Sequence, residues 1–574
     1  MAVKTALGIQ DFGKIIEDNC FYVDKTHFIK EWWENGDAVT LITRPRRFGK
    51  TLAMSMMDYF FSIRHPGRSD LFEGLSIWKE PAYRKLQGTW PVIFLSFAAV
   101  KGNRFETARE MLCQQIVNLY TDSRFLLEEG FLAGEDAAFF QRISVTMNDA
   151  AAAESIRQLS RFLCRYYGKK VIILLDEYDT PMQEAYVNGY WEEMSGFIGR
   201  LFHAAFKTNP YLERGIMTGI TRVGRESVFS DLNNLTVVTA ASCMYETAFG
   251  FTGEEVLLAL EDFGLMHEKE EVRRWYDGFR FGNCGGIYNP WSILNFLKFR
   301  EFSAYWANTS SNKLIGDLIR KGNTDIKTSM EDLMNGKQLC AALDEQIVFS
   351  QPDMDSNAVW SLFLASGYLK ITGSRTGRKG RKEYFLDIVN LEVRVMFENL
   401  FSGWFSPCRP AYSRFIKALL ENDTEGMNGF MNELALAVVS SFDTGKHPSE
   451  RAQPESFYHG LVLGMMTELD GRYVLASNRE SGYGRYDVML EPKDVKDDGI
   501  IFEFKVWNGK KEESLEDTVH AALGQIMDKK YAQSLKNKGI LENKIRIYGF
   551  AFRGKEVLID GGYLQDMLRE TASW

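Results

Sequence analysis

A stretch of eight residues near the N-terminus has residue types and spacing suited to binding a phosphate chain. Residues 44–51 follow the apolar run 38–42. This order predicts a strand, a tight loop and a helix whose first backbone N–H groups face an anion. Lys50 would then reach the outer phosphates, and the Thr51 hydroxyl would ligate Mg²⁺. The stretch fits G-x-x-x-x-G-K-[ST] except at Arg44, which is costly there if the position needs a positive φ.

A second apolar run ends in acidic residues. Residues 171–175 lead directly into Asp176 and Glu177, as in a central parallel strand that delivers carboxylates to the carboxyl edge of its sheet. At that edge Asp176 would hold the Mg²⁺ shell, and Glu177 would orient or deprotonate the attacking water. The alternative is a buried strand capped by solvated acids. Together with the loop, this run predicts a P-loop NTPase domain with a parallel sheet, using ATP and Mg²⁺.

A third predicted strand, residues 215–220, supplies a candidate phosphate sensor. Arg222 is the first candidate and Arg225 the second, with ordinary surface pairing as the alternative. The catalytic residue predicted here is Glu177, and Thr51 and Asp176 are the predicted metal ligands. The predicted ATP-binding residues are Arg46, Arg47, Phe48, Gly49, Lys50, Thr51, Asp176 and Arg222.

Near the C-terminus, two more predicted strands carry acidic residues. Predicted strands at 472–476 and 483–490 join through a turn at 478–482, and a third strand, 499–507, precedes a predicted helix at 515–533. Asp487 lies on the second of these strands, and Glu503 and Lys505 lie on the third. The two-residue period of a strand places Glu503 and Lys505 on one face while Phe504 points into the core. Ionising two neighbouring carboxylates costs free energy unless a cation lies beside them. Asp487 and Glu503 therefore predict a Mg²⁺ site, in which Mn²⁺ could replace Mg²⁺. A surface sheet edge or a decayed site is the alternative.

Four motifs resemble those of the bacterial AAA-ATPase-like family. They are LITRPRRFGKT at 41–51, LDEYDTPM at 175–182, WYDGFRF at 275–281 and IYNPWS at 287–292. The resemblance extends over essentially the whole chain, and the family also has RPRR where the first loop glycine is expected. Members commonly end in a PD-(D/E)XK nuclease-like domain.

The resemblance implies a C-terminal restriction-endonuclease-like α/β domain. Asp487, Glu503 and Lys505 would be its catalytic residues, with the first two as metal ligands. It further suggests Glu455 as an auxiliary ligand and places Gln525 and Tyr531 on the substrate side. The helical spacing of those last two argues against one shared face.

The sequence between the two sites predicts a helical region, 251–408, that includes a winged-helix-like part. A helix ending near residue 366 precedes a predicted hairpin, 368–371 and 384–388, with a basic turn between its strands. Such a wing can contact phosphates, although a solvated charged turn is the alternative. The predicted domains are a P-loop ATPase core (1–250), a helical lid with the winged-helix-like part (251–408), a helical connector (409–450) and the nuclease-like domain (451–574).

Composition limits the function classes. The 574 residues are 45% hydrophobic and 25% charged, with a net charge of −9, so contact with nucleic acid needs local basic patches. Seven scattered cysteines indicate reduced thiols. The apolar runs fall short of a bilayer span, and the first 26 residues show no secretory pattern. We therefore expect a cytoplasmic protein without membrane contact, and the sequence leaves its oligomeric state open.

The sequence as a whole predicts a protein that binds and hydrolyses ATP and carries a Mg²⁺-dependent nuclease domain, with DNA as the expected substrate. The first alternative is an ATP-switched sensor whose inactive nuclease-like domain binds nucleic acid or a protein. The second is a nucleotide-binding scaffold with neither activity.

Overall fold

The computed structural model describes residues 4–222, 232–307, 315–316, 318–319, 324–334, 336–343, 356–377, 382–404, 409–442, 466, 469, 471–481, 484–507, 509, 512–553 and 556–570. The chain divides into two compact units, residues 1–396 and 397–574. The finer division into four domains stays a prediction.

The first unit contains a parallel five-stranded sheet in the order β2-β3-β4-β1-β5. Its strands are β1 (Val39–Thr43), β2 (Val92–Ser96), β3 (Val171–Asp176), β4 (Leu212–Gly219) and β5 (Leu235–Val238). Every residue of β1 and β3 is buried, as expected of parallel strands covered on both faces. β4 therefore separates the strand before the phosphate loop from the strand that ends in acids.

Among the described residues, two helices precede β1 and eight connect β1 to β2, β2 to β3 and β3 to β4, as parallel pairing requires. They are α1 (Phe12–Glu17), α2 (His27–Asn35), α3 (Lys50–Phe61), α4 (Pro81–Arg84), α5 (Phe105–Asp122), α6 (Phe125–Glu128), α7 (Gly134–Arg142), α8 (Asp149–Tyr167), α9 (Thr180–Asn188) and α10 (Trp191–Phe202). A π-helical turn, His203–Lys207, continues α10, and two 3-10 helices follow α3 at Arg68–Phe72 and Ser76–Lys79.

The middle of the chain is helical, as predicted, and also contains two small antiparallel sheets. One sheet has the order β6-β8-β7 and the other β10-β11-β9. The strands are β6 (Phe251–Thr252), β7 (Phe279–Phe281), β8 (Cys284–Tyr288), β9 (Leu339–Ala341), β10 (Leu369–Thr376) and β11 (Lys382–Ile388). The helices are α11 (Gly253–Asp262), α12 (Lys269–Tyr276), α13 (Pro290–Phe299), α14 (Thr324–Met334), α15 (Ser356–Ala365) and α16 (Leu391–Trp404), with a 3-10 turn at Met266–Glu268.

The predicted hairpin is present in this region. Strands β10 and β11 pair antiparallel directly after α15, and β9 adds a third strand. The helix-then-hairpin outline on which the winged-helix prediction rests is therefore correct. Residues 378–381 of its basic turn lie outside the described residues.

The second unit is built on a mixed sheet whose strand order follows the sequence, β12 to β16. Only β14 and β15 pair in parallel; the other neighbours are antiparallel. The strands are β12 (Tyr473–Ser481), β13 (Gly484–Pro492), β14 (Gly499–Val506), β15 (Ile545–Arg553) and β16 (Glu556–Tyr563). The helices are α17 (Arg409–Glu421), α18 (Thr424–Phe442), α19 (Leu515–Asp528), α20 (Gln533–Asn537) and α21 (Leu564–Glu570), with a 3-10 turn at Glu542–Lys544.

Both faces of the second sheet are covered. Phe502 and Phe504 of β14 belong to a core shared with α17 and α18, whereas Ile501 belongs to a core shared with α19. The alternation confirms the predicted inward direction of Phe504. Glu503 and Lys505 therefore share the face that α19 covers. The α/β fold class, with its parallel sheet, mixed middle region and C-terminal mixed sheet, is confirmed.

Two predicted boundaries in this unit were wrong. The predicted five-residue turn at 478–482 is mostly strand, because β12 continues to Ser481 and β13 begins at Gly484. The helix expected to reach Gln533 ends at Asp528, and Lys530 adopts a positive φ of 56°. The chain therefore reverses before Tyr531, so helical spacing does not apply to that residue.

Candidate nucleotide and nuclease sites

The phosphate loop joins the end of β1 to the start of α3 without backbone strain at its unusual arginine. The positive φ angles of the loop fall at Arg47 (66°) and Gly49 (86°). Arg44 is not in the left-handed region, so an arginine in place of glycine has no conformational cost there.

Arg44 instead anchors the loop through its side chain. The fully buried guanidinium donates to the carbonyl oxygen of Thr239 at 2.9 Å and to those of Met244 and Tyr245 at 3.3 Å. It also lies over the ring of Phe281, 4.4 Å from the centroid. Burial lowers the pKa of Arg44 to about 9. The segment after β5 and the WYDGFRF motif therefore hold the first residue of the loop.

Three side chains meet where β3, β4 and α3 converge. Thr51 Oγ1 donates to Asp176 Oδ2 at 2.8 Å, and Thr218 Oγ1 donates to Asp176 Oδ1. Asp176 is fully buried, and burial raises the pKa of its carboxyl above the usual range. The two predicted metal ligands, Thr51 and Asp176, are thus in direct contact, as neighbouring ligands of one Mg²⁺ shell would be.

Lys50 lies in the loop with its ammonium group on backbone oxygens. Its Nζ donates to the carbonyl oxygens of Arg44 and Pro45, both at 2.8 Å. Burial lowers the pKa of Lys50 to about 8, and the carboxylates of Asp176 and Glu177 partly oppose this shift. An incoming phosphate would replace the two carbonyl oxygens as the partner of this ammonium.

The acids that follow β3 have different surroundings. Glu177 has a positive φ of 51°, and its Oε2 accepts a hydrogen bond from Thr180 Oγ1 at 3.1 Å. Asp179 is buried and accepts from the backbone N–H groups of Ile220 and Thr221 at 3.0 and 2.9 Å. Asp179 therefore fixes the end of β4, whereas Glu177 remains half-buried at the edge of the sheet.

The remaining predicted ATP-binding residues are three residues of the loop itself and Arg222. Asn289 Nδ2 donates to the carbonyl oxygen of Arg46 at 3.3 Å, and the Arg47 guanidinium lies 4.5 Å from the ring centroid of Trp291. The IYNPWS motif thus contacts the loop. Phe48 is buried, which makes it a packing residue of the loop. Arg222 follows β4 and is half-buried.

In the second unit, Asp487 and Glu503 lie at the end of a strand ladder. The ladder between β13 and β14 ends with Val488 opposite Phe502, so one further step would place the two carboxylates opposite each other. There the pairing stops, and Asp487 Oδ2 accepts the backbone N–H of Phe504 at 2.7 Å. The two acids therefore share one corner of the sheet.

Gln525 of α19 joins the catalytic candidates. It accepts from Lys505 Nζ at 2.7 Å through Oε1, and its Nε2 donates to Glu503 Oε1 and to Tyr531 Oη, the latter at 3.2 Å. Gly549 pairs with Glu503 on the neighbouring strand. A Cβ there would lie 2.8 Å from the Val519 carbonyl oxygen, so the glycine allows α19 to approach the sheet.

The electrostatics of this corner favour a cation. Burial raises the pKa of both carboxyls, and for Glu503 the nearby Asp487 raises it further. Glu503 is only 3% exposed, and its Oε2 has no hydrogen-bond partner among the described residues. A buried oxygen without a donor is costly. A divalent ion is the partner that this oxygen pair fits.

Sequence reasoning missed several residues that the structure brings to the sites. They are Thr218, Asp179, Asn289 and Trp291 at the nucleotide loop. The run DEYD and the motif IYNPWS were the available signals, but neither reveals which strand lies beside β3. Glu455 and Arg225 lie outside the described residues.

Comparison with protein families identifies the two domains that contain these residues. Residues 6–229 match the model described as predicted AAA-ATPase, and residues 453–561 match that of the PD-(D/E)XK nuclease superfamily. The chain has an AAA-ATPase-like domain followed by a PD-(D/E)XK nuclease-superfamily domain. This confirms the architecture that the four motifs implied. The phosphate loop and Asp176 lie within the AAA-ATPase-like match, and Asp487, Glu503 and Lys505 lie within the nuclease match.

A relative shares nearly the whole length of this chain. An uncharacterized protein in the vnfD 5′ region of Azotobacter chroococcum mcd 1 is 27% identical over 548 residues, which is 93% of this chain and 94% of the relative. A solved structure of Drosophila ORC bound to AT-rich DNA and Cdc6 aligns at 10% identity over 68% of this chain and 93% of that chain. Its TM-score of 0.16 is too low to support an inference.

None of the helices in the described parts of the chain combines the length and the apolar character that crossing a lipid bilayer requires.

Proposed function

We propose that the first unit binds and hydrolyses ATP with Mg²⁺ and that the C-terminal domain cleaves phosphodiester bonds of DNA with a divalent cation. The observation that carries the nuclease proposal is Glu503 Oε2, a buried carboxylate oxygen beside Asp487 without a partner among the described residues. DNA is proposed because the nuclease family acts on phosphodiesters and because a basic hairpin, β10–β11, can contact phosphates.

The nuclease chemistry would divide among four side chains. When bound, the divalent cation would polarise the phosphodiester and lower the pKa of a bound water. Asp487 and Glu503 would hold it, leaving its other positions to water and phosphate oxygens, as is usual for Mg²⁺. Lys505 would offset negative charge that develops on the phosphate. Gln525 would orient Glu503 and Lys505 through its two hydrogen bonds.

The ATPase chemistry would follow from the contacts of the loop. Lys50 would bind the outer phosphates after leaving the carbonyl oxygens of Arg44 and Pro45. Thr51 and Asp176 would ligate Mg²⁺, and Glu177 would orient the attacking water. Arg222 would sense the outer phosphate. The residues proposed to surround the nucleotide are Arg46, Arg47, Phe48 and Gly49.

Cleavage of defined substrates tests the nuclease proposal. Full-length protein is incubated with duplex DNA, single-stranded DNA and RNA, with Mg²⁺, with Mn²⁺ and with a chelator. We expect metal-dependent DNA cleavage that is lost in Asp487→Ala and in Lys505→Ala. Lys529→Ala, an exposed lysine after α19, is the matched control and should cleave normally. Equal cleavage by wild type and both site variants would point to a contaminant and contradict the proposal.

Phosphate release from ATP tests the other site independently. Wild type should release phosphate well above the Lys50→Ala background. Release without any DNA cleavage would leave the ATPase proposal standing and favour an ATP-switched sensor with an inactive nuclease-like domain. A cytoplasmic location and the four-domain division remain proposals based on the sequence.

A further inference from the structure

Two residues of the WYDGFRF motif help to line an open surface cavity that contains no residue of the phosphate loop. Asp277 and Gly278 connect α12 to β7 and line a cavity of about 470 Å³ together with Arg273, Lys370 and Asn390. This volume lies within the range of small-molecule sites. All of these residues belong to the first unit.

Gly278 fixes one wall of this cavity. Its φ is 134°, and a Cβ at this position would lie 1.9 Å from the Val389 carbonyl oxygen, so only glycine allows the two backbone segments to meet. Lys370 Nζ donates to the same oxygen at 3.0 Å. The motif is therefore held against the start of α16, where Asn390 precedes the helix.

Two buried polar atoms in this wall have no hydrogen-bond partner within the described parts of the chain: Asp277 Oδ1, an acceptor, and Asn390 Nδ2, a donor. The orientation of the Asn390 amide is set because its Oδ1 accepts the Val393 N–H at 3.1 Å. The Nδ2 group therefore remains available to donate a hydrogen bond to a ligand or to water. Buried polar groups are nearly always satisfied, so both atoms call for a ligand or water.

Three basic side chains at the cavity can donate to an anion. Arg273, Arg274 and Lys370 line it together with the carboxylates Glu270 and Asp277. Arg273 Nε lies 3.6 Å from Asp277 Oδ2, and Arg274 pairs with Glu271 on the exposed side of α12. Burial raises the pKa of Asp277 above its usual range, and a hydrogen bond from the Gly278 backbone N–H opposes that shift, as do Arg273 and Lys370. A ligand that donates a hydrogen bond to Asp277 Oδ1 would offset the free-energy cost of burying this carboxylate.

We propose that this cavity binds a small phosphorylated ligand that also carries a hydroxyl or amino donor, the chemical class to which free nucleotides belong. The phosphate would lie against Arg273, Arg274 and the Asn390 amide. The donor of the ligand would bond Asp277 Oδ1. This site is separate from the nucleotide at Lys50, and its occupancy does not depend on ATP hydrolysis.

Calorimetric titration of 5′-GMP into full-length Lys50→Ala protein tests the proposal, because this background removes the lysine of the phosphate loop. Asn390→Asp is the decisive variant. Aspartate still accepts the Val393 N–H as a helix cap, but it replaces the free donor with a negative charge. We expect 5′-GMP to bind the Lys50→Ala protein and its affinity to fall about tenfold or more in Asn390→Asp. Arg274→Ala, on the exposed face, should weaken binding without affecting folding.

The matched control makes the same exchange at another helix cap. Asn148 accepts the Ala151 N–H at 2.9 Å at the start of α8, so Asn148→Asp should leave 5′-GMP binding unchanged. Guanosine and inorganic phosphate, titrated separately, should each bind more weakly than 5′-GMP. Absence of 5′-GMP binding, or equal affinity in Asn390→Asp and Asn148→Asp, would overturn the proposal. So would inorganic phosphate binding as tightly as 5′-GMP.

Discussion

Buried carboxylates with raised pKa values mark both proposed sites. Asp176 contacts two threonine hydroxyls, whereas Glu503 shares its corner with Asp487 and keeps one oxygen without a protein donor in the described residues. A metal-free protein bears the cost of these charges as lost stability. A bound cation would restore this stability. We therefore infer that these carboxylates serve the reaction and lower the free energy of unfolding of the metal-free protein.

Glu503→Gln should stabilise the metal-free protein at about pH 8. The pKa of Glu503 is raised, so the folded protein binds this proton more readily than the unfolded chain does. Its contribution to stability therefore falls as the pH rises from the unfolded value, about 4.3, towards the folded one. The substitution should increase the free energy of unfolding by about 1–3 kcal/mol at about pH 8, and the gain should vanish at about pH 4.

Urea denaturation in the presence of a chelator measures this difference. Glu513→Gln, an exposed residue before α19, is the matched control and should change stability little at either pH. A destabilised Glu503→Gln protein at about pH 8 would mean that the carboxylate is already compensated within the protein.

The sequence predicted that Glu503 and Lys505 share a face, because strand periodicity determines this within one strand. Asp487 was added from the neighbouring predicted strand. It did not place Tyr531, because the reversal at Lys530 depends on a left-handed residue that the helical pattern conceals. Thr218 was overlooked for a different reason. Its role depends on β4 lying beside β3, and strand order is a non-local property.

At the scale of elements, the position of β4 determines the geometry of the ATPase site. β4 pairs with both β1 and β3, so its carboxyl end lies between the phosphate loop and Asp176. It supplies Thr218 to the carboxylate and provides the Gly219 carbonyl oxygen, which accepts the Arg44 N–H at 3.1 Å. The strand therefore aligns the two halves of the site.

Thr218→Val should reduce the kcat for ATP hydrolysis while leaving the fold intact. Valine keeps the shape of the buried side chain but removes the hydrogen bond to Asp176, which is worth about 1.5–3 kcal/mol to a charged group. We expect a decrease of about tenfold or more in steady-state phosphate release. Thr218→Ser, which keeps the hydroxyl, should lose much less. Equal rates for the valine and serine variants would show that the hydroxyl has no part in the reaction.

Elements with a strong local pattern were predicted well. The apolar runs before the loop and before Asp176 became β1 and β3, and the basic hairpin became β10 and β11. The short strand β5 and the edge strand β16 were missed, because half-buried strands carry a weak apolar signal. The small sheet of β6, β7 and β8 was missed because strands of two to five residues resemble loops.

In the molecule as a whole, the proposed ATP site and the proposed cation site of the nuclease domain belong to different compact units. A ligand that binds only the folded state stabilises the unit that holds it, by about 2.7 kcal/mol at a hundredfold excess over its Kd. Calorimetry should therefore show one transition that a non-hydrolysable ATP analogue with Mg²⁺ raises and another that Mn²⁺ alone raises. Lys50→Ala should abolish only the first shift, and Asp487→Ala only the second. If either variant abolished both shifts, the two sites would not bind independently.

The central claim is that the paired carboxylates of the C-terminal domain hold a divalent cation. Titration of Mn²⁺ into full-length Lys50→Ala protein without nucleotide, followed by electron paramagnetic resonance of the free ion, tests it most directly. The account predicts Mn²⁺ binding at about pH 8 that weakens towards about pH 6, as the two carboxyls take up protons, and that disappears in Asp487→Ala. Mn²⁺ binding that is absent, or unchanged by Asp487→Ala, would contradict it.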